Sequence, residues 1–295
     1  LERRDKLPLT IFPQGRRWAW TRPWLMAQGN AANYVPATLD PRRSESSAEP
    51  SPPTPYDLQD WLPHLTDPQP TRFDALLGDP VDQSQGDVWH RQEATRTVEE
   101  QQYGYVKTPC AEHELEAMLG LLHDMGVRGV SVTSPLKRAV LDSEHVSPTP
   151  RDLKAANTLR RERAGWSATD TDELGMSAVL EALVARGYEP GDIAIIGRGG
   201  VAGALQRAIE GSPWRIAHHA SARQGWGDAP DRVCLVINAA GDRDNAYHGA
   251  PACDIWLDLH YSGVRARPAR AGEHLNGDLF FIAQARAQRA AWKGA

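Results

Sequence analysis

Two groups of residues in this chain have types and spacings suited to chemistry. The first is a glycine turn. The apolar run Ile193-Ala194-Ile195-Ile196 leads directly into Gly197-Arg198-Gly199-Gly200-Val201-Ala202. This is a G-x-G-x-x-A pattern at a strand-to-helix turn. Gly197 permits the tight turn, Gly199 lets backbone approach a pyrophosphate, and Ala202 lets helix and strand pack closely. A phosphate there would meet the free N–H groups and the positive dipole end of the next helix. A tight turn that holds no ligand is the alternative. The second group is Lys137, just after a predicted strand, and Asp172, at the start of a predicted helix. Taken singly, Lys137 reads as a surface lysine and Asp172 as a helix cap. Asp170 or Thr171 serves as that cap equally well.

Alternating elements position these residues. Residues 73–78 read as a short apolar strand ending at Gly78. Leu115, Met118, Leu119, Leu122 and Met125 recur at helical spacing over residues 112–125, with Gly126 as a stop. A strand is expected over 127–133, and a second amphipathic helix over 171–186 before Gly187. Further strands are expected over 192–196, 214–219, 232–238 and 254–259. Helices are expected over 200–210 and 277–292, and a further strand over 7–12. Regular alternation of this kind argues for an α/β fold of parallel sheets covered by helices, which bind ligands beyond the carboxyl ends of their strands. An acid or arginine about 20 residues beyond the glycine turn would contact the ribose or its phosphate. The chain has His218-His219-Ala220-Ser221-Ala222-Arg223 there. His219 or Arg223 is able to meet a phosphate, and a solvated loop is equally consistent.

Composition narrows the function classes. At 295 residues the chain is long enough for two cores. A net charge of −5 argues against a nucleic-acid partner. No apolar run approaches the ~20 residues that cross a bilayer, and Glu2-Arg3-Arg4-Asp5 does not read as a signal peptide. Cys110, Cys234 and Cys253 are too scattered for a disulfide framework or a zinc site, so no metal is expected and a reducing cytoplasm is. Because Leu1 is not Met, a fragment or a processed product is expected. The stretch from Pro41 to Pro55 is rich in Pro, Ser and charge and reads as a linker.

Taken together, the motifs resemble the shikimate dehydrogenase family. The resemblance runs in order through Ser131-Val132-Thr133-Ser134-Pro135-Leu136-Lys137, Ala155-Ala156-Asn157-Thr158, Asp170-Thr171-Asp172-Glu173-Leu174-Gly175 and the glycine turn. It continues through Ile237-Asn238-Ala239-Ala240, then Asp258 with Tyr261, and Gly277 with Gln284. It implies two domains: a parallel-sheet substrate domain over 67–172 completed by 274–295, and a Rossmann NAD(P)-binding domain over 173–273. A cleft and hinge closure between them are expected. It also implies a reaction, the reversible oxidation of shikimate or quinate to the 3-dehydro acid with NADP or NAD. Lys137 and Asp172 would be the catalytic pair, because a lysine placed by a carboxylate relays the hydroxyl proton and stabilises charge on oxygen. Ser84, Thr133, Asn157, Tyr261 and Gln284 would hold a small hydroxylated cyclic carboxylic acid. Gly197, Arg198, Gly199, Gly200, Val201, His219 and Asn238 would hold the cofactor.

The chain departs from the family pattern at several of these positions. Gly86 stands where a second serine is usual and Asp87 where a proline is, while Ser84 is kept. Loss of a hydroxyl and gain of a carboxylate should weaken an acidic ligand unless Asp87 points away. His218-His219-Ala220 replaces an Asn-Arg-Thr common in NADP-using members, and Asp170 replaces an asparagine. These departures motivate a second expectation, a non-catalytic relative that senses a shikimate-pathway metabolite, and a third, a dehydrogenase for another hydroxy acid. Residues 1–66 resemble the end of a type I 3-dehydroquinate dehydratase, through the predicted strand and loop over 7–15, Thr21-Arg22, and Ser47-Ala48-Glu49-Pro50-Ser51. A fusion or association with such a domain is implied, without dehydratase activity in this stretch.

Overall fold

The structure is a computed structural model that describes residues 18, 20–28, 72–81, 84–94, 96, 103–150, 153–240, 244–260 and 270–293. The strand expected over 7–12 and the linker over 41–55 lie outside the described residues. The chain divides into two compact units, residues 1–136 with 160–165, and residues 137–159 with 166–295.

In the first unit, helix α1 (Thr21–Ala27) is tied down by the Trp24 indole, which donates to the Met125 carbonyl at 3.0 Å. Strands β1 (Arg72–Gly78), β2 (Tyr103–Pro109) and β3 (Gly129–Val132) run parallel in the order β2-β1-β3. As the central strand, β1 is buried from Phe73 through Gly78, which is why it reads as one apolar run. Its single buried charge, Asp74, is met by Arg128 at 2.9 Å. The helix expected over 112–125 opens as a 3-10 turn (Glu112–Glu114) and continues as α3 (Leu115–Asp124), preceded in the chain by α2 (Gly86–Ala94). Leu115, Met118, Leu119 and Leu122 are buried, as their spacing requires. Neither α2 nor β2 was expected. The first mixes charge with few apolar residues, and the second is interrupted by Gly104 and Lys107, so neither has a clean period.

The second unit begins with a short helix α4 (Leu136–Ala139, whose first residue falls in the first unit) and strands β4 (Val146–Pro148), β5 (Thr158–Arg161, whose last two residues fall in the first unit) and β6 (Trp166–Thr169). Then follow α5 (Thr171–Ala185), β7 (Asp192–Ile196), α6 (Ala202–Glu210), β8 (Arg215–Ala220), β9 (Arg232–Asn238), α7 (Asp244–Tyr247), β10 (Ala252–Asp258), β11 (Ala271–Leu275) and α8 (Asp278–Lys293). A parallel five-stranded sheet has the order β11-β10-β9-β7-β8. The chain leaves β7 to one side for β8 and returns to its other side for β9. The crevice beyond the carboxyl end of β7 is therefore the switch point where such sheets bind ligands.

Side-chain alternation splits this sheet into two cores. Ile193, Ile195, Leu235, Ile237, Ile255 and Leu257 face α5, α6 and Phe280 of α8, while Ala194, Ile196, Val236 and Trp256 face Trp226 and Ala246. The helix expected from Gly200 starts at Ala202, because Gly199, Gly200 and Val201 form the turn, closed by an N–H of Ala202 donating to the Gly199 carbonyl at 3.1 Å.

Candidate active site

Lys137 and Asp172, 35 residues apart in the chain, meet in the second unit with Nζ 2.6 Å from Oδ2. Asp172 lies in the first turn of α5, where the positive end of the helix dipole favours a carboxylate. Its other oxygen, Oδ1, accepts from Asn157 Nδ2 at 2.8 Å. Asn157 is itself held in a single orientation. Its Oδ1 accepts from the Thr171 backbone N–H and from the hydroxyls of Thr158 and Thr171 at 2.8 to 2.9 Å. A backbone N–H only donates, so the amide oxygen must face it and the amide nitrogen must face Asp172. The backbone of Lys137, within α4, is tied in too, since Ala156 N–H donates to the Lys137 carbonyl at 2.7 Å.

The last helix completes this group. Gly175 on α5 lets α8 approach closely: a Cβ there would lie 2.8 Å from Gln284 Cβ and 3.1 Å from its backbone nitrogen. Gln284 thereby reaches Asn157 Nδ2 and Thr171 Oγ1 with its Oε1, at 3.4 and 3.5 Å. Gln288 and Trp292 further along α8 donate to the carbonyls of Asn157 and Leu159.

The glycine turn adjoins the pair. The stem of Lys137 runs 3.6 Å from where a Cβ of Gly200 would stand. Gly197 has φ +116°, a conformation that only glycine adopts without strain. Gly199 is exposed, with open space where its side chain would be. The open backbone and the start of α6 fit a dinucleotide pyrophosphate. At the end of β8 the His219 ring bonds the Gly197 carbonyl through Nε2 at 2.7 Å, so that nitrogen carries the hydrogen. Exposed Arg198 donates to the His219 carbonyl at 3.2 Å, and Arg223 is exposed nearby in sequence. Val201 is half-buried. Asn238 is buried, with Nδ2 on Asp258 at 2.6 Å and Oδ1 accepting from Ala240 N–H.

In the first unit, Ser84 stands before α2 and Thr133 just after β3, where its methyl lies against Gly78. Tyr261 lies outside the described residues. Asp87 is buried and bound by Lys107 at 3.3 Å and Arg91 at 3.5 Å, so its charge is neutralised within the unit.

Sequence reasoning named Asp258 and Asp170 but missed the partners that hold them. Asp258 accepts from Asn238 and from His274 Nε2 at 2.7 Å, closing β9, β10 and β11 together. Asp170 caps α5 by accepting from Asp172 N–H at 3.0 Å and meets Arg207 of α6 at 3.0 Å, while Arg207 also holds Glu173. Asp170 as a cap of α5 is one of the sequence expectations, whereas no local signal marks Arg207 or His274, because each comes from another element.

Burial, and then the negative charge of Asp172, push the Asp170 carboxyl up from 3.8 to about 6. The folded chain then keeps a proton that the unfolded chain releases between these values. Stability from this proton is present in full below about pH 4 and lost as pH rises through about 6. Asp170→Asn is expected to gain in melting temperature over the wild type as pH rises from 4 to 7, by on the order of a few degrees. A difference that stays flat across that range in thermal melts would show that Asp170 titrates like an ordinary aspartate.

Residues 76–159 match the family model described as the shikimate dehydrogenase substrate binding domain. The NADP-dependent shikimate dehydrogenase of Nostoc is 33% identical over 136 residues, 46% of each chain. That of Anaeromyxobacter is 37% identical over 137 residues, 45% of this chain and 46% of the other. The chain thus spans about half the length of the curated relatives it matches. Among solved structures, shikimate dehydrogenase 1 of Peptoclostridium difficile superposes with TM-score 0.60 at 18% identity, covering 76% of this chain and 92% of that one. The Mycobacterium tuberculosis enzyme gives 0.58 at 23%, covering 76% and 94%. The chain is therefore similar to the shikimate dehydrogenase family in sequence over residues 76–159, and shares the two-domain α/β fold of that family's solved members.

Proposed function

We propose that this chain is an NADP-dependent shikimate dehydrogenase that interconverts shikimate and its 3-dehydro acid. The observation that carries this reading is the Lys137–Asp172 pair at 2.6 Å, with the lysine stem against the glycine turn. A sensor that had abandoned catalysis would have no need of this arrangement. Within the reading, residues 67–172 with 274–295 form the substrate domain and 173–273 the dinucleotide domain. Ser84, Thr133, Asn157, Tyr261 and Gln284 hold the acid.

The backbone of Gly197, Gly199, Gly200 and Val201 would receive the pyrophosphate, and Arg198 beside His219 the extra phosphate of NADP. Asn238 shapes the turn that Gly197 packs on. The bound nicotinamide supplies the hydride acceptor. Lys137 Nζ relays the proton: in the oxidising direction it gives one of its own to solvent and takes that of the hydroxyl, and in the reducing direction it gives a proton to the carbonyl oxygen and regains one from solvent. Asp172 holds that nitrogen in place, and Asn157 fixes Asp172.

A solved Listeria monocytogenes relative holds shikimate and NAD, and another structure holds NADP+, so both cofactors belong in the assay. Residues 1–66 are read as the end of a type I dehydroquinate dehydratase, fused to or associated with this unit. The support for that is the sequence pattern. Three free cysteines suit a cytoplasmic setting, and no helix among the described residues is long and apolar enough to cross a membrane.

The test is to mix the chain with shikimate or quinate and with NADP or NAD, and to follow nicotinamide absorbance. Reduction with shikimate and NADP is expected. A folded sample that binds shikimate but reduces neither cofactor would return the chain to the sensor reading.

A further inference from the structure

We propose that Arg207 is a positioning residue for the proton transfer: it holds the Asp170 and Glu173 carboxylates, on either side of Asp172 in the chain, so that Asp170 does not draw the Lys137 ammonium away from Asp172. This deepens the functional reading above and rests on it. The start of α5 carries three carboxylates within four residues, Asp170, Asp172 and Glu173. Two cations from other elements meet them. Lys137 Nζ of α4 stands on Asp172 at 2.6 Å. The Arg207 guanidinium reaches over from α6 and takes the other two, with Nη2 donating to Asp170 Oδ2 at 3.0 Å and Nε to Glu173 Oε2 at 2.6 Å.

This allocation of charge matters because Asp170 can answer to either cation. Its side chain is 5% exposed, so water screens it poorly. Burial, then the charge of Asp172, push its carboxyl up to about 6, against the opposing pull of the Asp172 N–H, Lys137 and Arg207. Asp170 therefore sits in the field of Lys137 as well as that of Arg207. Its Oδ1 accepts from the Asp172 N–H at 3.0 Å, and Oδ2 is the atom that Arg207 occupies. Removing Arg207 frees Oδ2 and leaves a buried carboxylate that Lys137 must then compensate, at the expense of its bond to Asp172. A guanidinium suits the task, since it is charged at every working pH and its rigid fork offers separate N–H groups to two carboxylates.

The test compares initial rates with shikimate and NADP across pH for wild type, Arg207→Met, Arg207→Lys, Asp170→Asn and Arg207→Met with Asp170→Asn, with melts to confirm folding. The Arg207 side chain is 36% exposed, so Arg207→Met is expected to fold. It should lower kcat about tenfold at about pH 9 while KM for shikimate and for NADP stays within about threefold, because a reacting group displaced by about 1 Å costs up to about 10²-fold. The loss should shrink below about threefold near about pH 5, where Asp170 carries a proton and no longer competes for the ammonium. Arg207→Lys keeps the charge against Asp170 and should stay within about threefold of wild type at every pH. Asn at a helix start still caps it and carries no charge. In the Asp170→Asn background, Arg207→Met should therefore cost less than about threefold even at about pH 9. If wild type oxidises shikimate and Arg207→Met loses nothing, or loses the same factor at both ends of the pH range and in both backgrounds, or is matched by Arg207→Lys, the proposal fails and the functional reading stands. If wild type neither binds nor oxidises shikimate, the functional reading fails and this proposal falls with it.

Discussion

Lys137→Ala is expected to lower kcat for shikimate oxidation by about 10²–10⁴-fold while the chain stays folded and still takes up the acid. That range is what a positioned proton-transfer group contributes. The lysine is bound to Asp172 Oδ2 at 2.6 Å, so its proton-bearing nitrogen has a fixed place rather than a solvent-averaged one. Removing it leaves Asp172 with Asn157 on its other oxygen, and the partly exposed lysine site admits water to the first. The stability loss is therefore expected to stay below the roughly 3–5 kcal/mol seen when a fully buried pair is broken. Asp172→Asn should also lower kcat, because an amide there presents a donor to the ammonium. The two residues act as one unit. The double variant is expected to be little slower than Lys137→Ala alone, and initial rates of the four proteins with NADP show whether the effects fail to add. Full additivity, or a Lys137→Ala variant within tenfold of wild type, would mean that the proton leaves by another route.

The glycine turn was legible because its parts are contiguous. A strand, three glycines and a helix start within eleven residues, and each has a local physical reason. The strands 192–196 and 232–238 were likewise legible to the residue, since buried parallel strands read as apolar runs bounded by polar or glycine positions. The pair Lys137 and Asp172 was not legible from spacing. Each alone reads as a surface charge or a cap, and only the ordered resemblance joined them. Less legible still was why the pair holds its geometry. Asn157 works because β5, the start of α5 and α8 all meet at its amide, and nothing within a few residues of it signals that. The same holds for Asp170 with Arg207 and for Tyr105 with Ser131, which are joined by packing between elements. Asp87 shows the converse. Its carboxylate read as a threat to an acidic ligand, and the partners that remove the threat lie on α2 and on a strand the sequence did not signal.

The glycines of the turn separate architecture from ligand contact, and the second large effect follows from them. Gly197→Ala is expected to destabilise the second unit by about 3 kcal/mol or more. At φ +116° an alanine is strained, and its Cβ would stand 2.7 Å from the Ala239 carbonyl carbon, 2.8 Å from its oxygen and 2.9 Å from Ala240 N. All three are backbone atoms at the end of β9, which cannot rotate away as a side chain would. Strain of this kind alone costs on the order of 1–3 kcal/mol, and displacing the turn adds the loss of packing behind it. Gly199→Ala meets nothing within 4 Å and should leave the melt unchanged to within about 0.5 kcal/mol. Its methyl would, however, project into the space reserved for the pyrophosphate. It is expected to raise the KM for NADP at least tenfold while the KM for shikimate stays within about twofold. Melts and initial rates on the two variants decide the matter. A Gly199→Ala chain with unchanged affinity for NADP would show that the phosphate does not approach this backbone. A Gly197→Ala chain that melts like wild type would show that the turn relaxes where the geometry says it is fixed.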